Sequence, residues 1–143
     1  MYDSIIEIYI SVGCSAFEHG QYRSAGKMFL EAARESKYLR NSDPRRAIIY
    51  SNLALFYLQQ KRYNKSETYY RRALGIFEAN PSTDERTKLD IYNKLFHLCM
   101  AQSKSIEAQE WFDKTNFIRT SAIAVDREML LIEDAQSLDI EPE

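Results

Sequence analysis

The side chains best suited to covalent or metal chemistry in this 143-residue chain are two histidines, His19 and His97, and two cysteines, Cys14 and Cys99. A metal site needs three or four His, Cys or carboxylate groups at ligand spacing, and general-base catalysis needs a partner within hydrogen-bond reach. The histidines fall in distant sections of the chain, and neither has a carboxylate and cysteine grouped around it at such spacing. GxSxG, HExxH, a glycine-rich phosphate loop and a CxxC pair are all missing, and four glycines leave little loop material for an active site. The chain therefore reads as non-catalytic, with no metal and no cofactor. Two cysteines this far apart fit neither a disulfide framework nor a zinc site and are expected to be reduced, buried packing residues. Binding is the chemistry that remains.

The elements that would position a binding surface announce themselves by repetition. GQYRSAGKMFLEAA at Gly20 to Ala33 returns as KRYNKSETYYRRAL at Lys61 to Leu74 and, more worn, as SKSIEAQEWFDKTN at Ser103 to Asn116. Ala25, Ser66 and Ala108 fall in register, 41 and then 42 residues apart. Each copy keeps one order of sizes: Tyr9, Tyr50 and Tyr92; Val12, Leu53 and Leu95; the small Gly13 and Ala54; and downstream the aromatics Phe29, Tyr70 and Phe112. Large beside small is what two closely packed helices require, and a fixed period in this range marks a stacked array. In the third copy Phe96 stands where Gly13 and Ala54 stood, which predicts either a capping feature or a hairpin that opens wider.

Punctuation sets the helix limits. Asp43-Pro44 supplies an N-cap acceptor before a proline at the first helical position. Asn80-Pro81 ends a helix, and Thr83 followed by Asp84 and Glu85 opens the next. Thr120 or Ser121 is read as the cap of a last helix. The pattern predicts seven helices, over about 3–19, 22–39, 44–60, 64–79, 84–102, 105–118 and 121–137.

These residues resemble the tetratricopeptide repeat (TPR) family, and Ile48 to Glu78 is similar to its longer-repeat branch typified by kinesin light chain. The resemblance implies an all-α solenoid of three helical hairpins, over about 3–39, 44–79 and 84–118, plus a C-terminal capping helix over about 121–137 and an acidic tail at 138–143, all in one domain. It also implies a concave wall lined by the first helix of each pair. Counted from Tyr9, Tyr50 and Tyr92, that wall holds Ile10, Ser11, Cys14 and Phe17, then Ser51, Asn52, Leu55, Leu58 and Gln59, then Asn93, Lys94, His97 and Met100. Such a surface suits a peptide segment of a protein partner, its backbone meeting Asn52 and Asn93 and its apolar side chains displacing water. Co-chaperones of the family that grip acidic C-terminal tails use five polar positions. Here Asn52 and Lys94 match two of them, whereas Ile10, Cys14 and Asp90 occupy the others, so that clamp is expected to be absent.

Composition agrees with a binding module. With 45% hydrophobic and 28% charged residues and pI near 5.8, the chain is expected to be soluble and cytoplasmic and to bind neither nucleic acid nor membrane. The net charge of −2 is uneven, since residues 121–143 carry seven acids against Arg127 alone. At 100° per residue the terminal helix shows two apolar stripes. Ala122, Val125, Met129 and Ile132 are expected to cover the open end of the third hairpin. The other stripe, with Leu131 and Leu138, is left as an association surface for a partner or for a homodimer, the alternative being a structural subunit built on this helix.

Overall fold

A computed structural model describes the backbone of residues 2–139 and the side chains of residues 4–133. Its elements, among the described residues, are α1 (Tyr2–Glu18), α2 (Tyr22–Glu35) with a 3-10 turn at Ser36–Tyr38, α3 (Pro44–Gln59), α4 (Tyr63–Ala79), α5 (Glu85–Ala101) and α6 (Ser105–Asp139). Asp43 caps α3 as expected, accepting from the Arg45 N–H at 2.9 Å ahead of Pro44. The cap of α5 lies one residue later than Thr83: the Asp84 carboxylate accepts from the Thr87 N–H at 2.8 Å.

Three hairpin turns are built alike. Gly20, Lys61 and Ser103, again 41 and 42 residues apart, all adopt left-handed φ, at 74°, 60° and 59°. The next residue in each case donates its N–H five residues back: Gln21 to the Ala16 carbonyl, Arg62 to Tyr57 and Lys104 to Cys99, at 2.8 to 2.9 Å. This closes the first helix by satisfying carbonyls that the helix itself leaves open. Glycine occupies the left-handed position freely only in the first turn, so Lys61 and Ser103 hold it against a steric cost.

Inside each hairpin the small residue is buried as the register requires. Ala25 and Ser66 are fully enclosed, Ala108 nearly so, and the Ser66 hydroxyl donates to the Ala54 carbonyl at 2.7 Å. A Cβ added at Gly13 would lie 2.6 Å from the Phe29 ring, so the ring occupies the space that glycine leaves. Tyr70 and Ala54 are buried together in the second repeat. The third repeat departs: with Phe96 in the small position, Phe112 is turned out, 46% exposed, its ring tilted on Phe96 at 6.0 Å. Trp111 takes the buried place instead, stacked on Tyr92 at 5.7 Å.

Two joints link the hairpins. At the first, between α2 and α3, a Cβ on Gly26 would meet the Phe56 ring at 2.4 Å, so the missing side chain admits an aromatic between repeats. At the second, between α4 and α5, the equivalent of Gly26 is Glu67, 6% exposed. Its carboxylate accepts from Arg71 and Lys104 at 3.0 Å and from the Gln102 amide at 3.1 Å. One joint is aromatic; the other is ionic.

The end of the chain differs from expectation. No helix starts at Thr120 or Ser121, because α6 runs unbroken for 35 residues. No glycine or proline interrupts 105–139, and a serine or threonine within a helix is not a stop by itself. The open end is not capped either: Val125, Met129 and Ile132 are exposed, as is Leu131, while the side chain of Leu138 and the tail beyond it lie outside the described residues. At the other end Val12 is exposed where Leu53 and Leu95 are fully buried.

Candidate functional site

α3 and α5 both pack on α4, and a groove of about 320 Å³ lies over it between them. Helical spacing fills it: Ser51, Asn52 and Leu55 from α3, and Thr87, Asp90, Ile91 and Lys94 from α5, over the Tyr70 and Phe77 rings of α4. Of the residues expected on the wall, the structure brings together Ser51, Asn52, Leu55 and Lys94. Asn93 is half-buried nearby in sequence on α5, and Gln59, His97 and Met100 are exposed. Ile10, Cys14 and Phe17 are half-buried and pack on the core of the first two hairpins, with Phe17 edge-on to Tyr22 at 4.9 Å; Leu58 packs on the other core cluster.

Sequence reading missed the floor. Tyr70 and Phe77, seven apart on α4, were assigned or assignable only as core, yet the i, i+7 spacing puts both on one face of that helix. Burial pushes the Tyr70 phenol up to about 12, so it stays neutral. The Ser51 hydroxyl oxygen is buried at the groove wall and makes no hydrogen bond within the protein. The site thus combines an apolar floor, an unsatisfied hydroxyl, an amide and two opposite charges, Asp90 and Lys94, one turn apart on α5.

Elsewhere Glu67, Cys99 and Glu107 bring one ligand atom each within 4.8 Å of one another, the geometry closest to a metal site among the described residues. The cations are already there: Arg71 and Lys104 hold Glu67, and Arg71 also reaches Glu107 at 3.5 Å. Burial opposes the charge on Glu67, but the hydrogen bonds from Lys104, Arg71 and Gln102 outweigh it and keep the carboxyl below its ordinary range. Burial, then Glu67 and Glu107, push the Cys99 thiol up, and burial followed by Glu18 does the same for Cys14. A raised thiol is a poor nucleophile and a poor ligand. Cys99 is buried as expected, whereas Cys14 is only half-buried.

Stacked antiparallel hairpins with a groove on one wall define a helical solenoid of the kind that presents an extended inner surface. The chain is a tetratricopeptide repeat protein: residues 45–115 match that family. No curated protein matches the sequence. Among solved structures, BtubC (BKLC) from P. vanneervenii superposes with a TM-score of 0.78 at 22% identity, over 85% of this chain and 48% of that one. Pseudomonas aeruginosa pilF gives 0.62 at 19% identity, over 92% and 59%. The chain therefore spans about half the length of these relatives, and at such identities the likeness is one of fold. Repeats of this family generally mediate protein–protein interaction, and no helix among the described residues is long and apolar enough to cross a membrane.

Proposed function

We propose that the chain is a non-catalytic interaction module that takes a peptide segment of a partner protein into the groove between α3 and α5. The observation that carries this reading is the groove itself, whose apolar floor of Tyr70 and Phe77 lies beneath Asn52, Asp90 and Lys94. An apolar side chain seated there leaves water, and the few polar groups around it fix its orientation. In this reading Asn52 pairs with the peptide backbone, Leu55, Tyr70 and Phe77 receive an apolar side chain, and Lys94 and Asp90 select a segment that offers both charges. An acidic tail alone is disfavoured by Asp90. Ile10, Cys14 and Phe17 on one side, and Leu58, Gln59, Asn93, His97 and Met100 on the other, are its outer extensions. The 41- and 42-residue spacing favours the longer-repeat, kinesin-light-chain-like branch, and protonated, unpaired thiols favour a reducing, cytoplasmic setting.

The test is a random-peptide display selection on the intact chain, followed by calorimetry of the best peptides. Asn52→Ala is expected to weaken binding roughly tenfold, about 1.4 kcal/mol, with the melting temperature nearly unchanged. Peptides that bind wild type and Asn52→Ala, Lys94→Glu equally well would place the interaction elsewhere.

A further inference from the structure

The residues that α6 buries against α5 follow a strict three-four spacing: Ala108, Trp111, Thr115 and Ile118. The spacing does not stop where α5 stops. It continues through Ala122, Val125, Met129 and Ile132, all exposed, along a helix of 35 residues whose hairpin partner has 17. At 1.5 Å per residue α6 outruns α5 by roughly 27 Å, and every described residue from Arg119 to Glu133 is exposed. An isolated helical segment of this length is marginal in water unless its apolar face is covered. The packing seam of the third hairpin thus extends past its own partner.

We propose that this extension pairs with the same extension of a second copy of the chain, antiparallel about a two-fold axis near Arg127, independently of the groove. Three-four spacing is the seam of a two-helix coiled coil. In the antiparallel register Ala122 faces Ile132 of the partner copy and Val125 faces Met129 of the partner copy, so each layer sets a smaller residue against a larger one. Arg119 then lies opposite Glu133 of the partner copy at both ends. A parallel pair would stack Ala122 on itself, leaving a hole, and would set Glu128 beside Glu133 and Lys114 beside Arg119. The antiparallel pair also brings like charges together at two places, Asp126 and Glu128 beside the axis, so the complementary layers and the opposite charges at its ends decide for it. The antiparallel pair also sends the two hairpin arrays to opposite ends. Leu131 lies off this seam and has no part in it.

Sedimentation equilibrium of the intact chain tests the inference. Wild type is expected to dimerise, and Val125→Glu, Met129→Glu to weaken the dimer by at least about a hundredfold, while Leu131→Glu changes it by less than about threefold. Both sites are exposed in the single chain and lie outside the hairpins, so melting of the hairpin array should survive in each variant. Register is read by disulfide trapping: in an equimolar mixture of Val125→Cys and Met129→Cys chains the antiparallel dimer cross-links one variant to the other, whereas a parallel dimer cross-links each variant to its own kind. A wild-type chain that stays monomeric at about a hundred micromolar, well above typical working concentrations, overturns the proposal. So does a dimer indifferent to Val125→Glu, Met129→Glu. A dimer that cross-links each cysteine variant to its own kind overturns the antiparallel register.

Discussion

The two joints of the array solve one packing problem with opposite chemistry. Between α2 and α3, glycine at position 26 lets the Phe56 ring fill the gap, and the contact is aromatic. Between α4 and α5, the equivalent position carries Glu67, and Leu98 stands where Phe56 stood. A buried carboxylate with two cations and an amide fixes geometry more than it adds stability, because desolvation offsets much of the attraction. The groove proposed to take a peptide lies at this second joint, walled by α3 and α5. Glu67 ties α4 to the turn after α5, while the groove lies elsewhere along the same joint, lined by none of that network.

The sharpest way to break this contrast is at the first joint. Phe56→Ala should lose about 3–5 kcal/mol by emptying a well-packed site, read as a shift in urea midpoint. At the second joint, Glu67→Ala should cost about 1–3 kcal/mol, less because Arg71 and Lys104 remain partly exposed and rehydrate. The second joint should respond to acid through Glu67. The Glu67 carboxyl is held below its ordinary value of 4.5, so its contribution is complete above that pH and is lost as pH falls through the lower folded value. Denaturation midpoints between neutral and acid pH should fall more steeply for wild type than for Glu67→Gln. If the two curves run parallel, the ionic joint is not coupled to folding.

The smallest expected effect compares the turns rather than the joints. Lys61→Gly and Ser103→Gly should each stabilise by about 0.5–1 kcal/mol, because glycine relieves a left-handed residue by more than the entropy it adds. Gly20→Ala should destabilise by a similar amount. A destabilised Lys61→Gly would mean that its side chain, not its backbone, holds that turn.

Much of the fold was legible because each hairpin writes its register twice, in the small residue and in the turn. Ala25, Ser66 and Ala108 are buried as their spacing demands, and Asp43-Pro44 starts α3. The third hairpin was harder to read, since one substitution, Phe96 for a small residue, moves the buried aromatic from Phe112 to its neighbour Trp111. The end of α6 misled for a different reason: Thr120 and Ser121 are cap residues by type, but nothing after them breaks a helix. In the groove, the α3 side was placed by resemblance to the family, whereas its floor was hidden because Tyr70 and Phe77 look like core in any linear reading. The Glu67 network was legible only as the local pair with Arg71, because Gln102 and Lys104 arrive from another helix end.

We propose that this protein meets its partner in the channel at the second joint. The most direct measurement is amide chemical-shift mapping of the labelled 143-residue chain during titration with a display-selected peptide. The account predicts that the largest changes cluster at Ser51, Asn52, Leu55, Asp90 and Lys94, with the aromatic signals of Tyr70 and Phe77 moving in step. Changes confined to α1, or to α6 beyond Ile118, with the α3 and α5 amides unmoved, would contradict it.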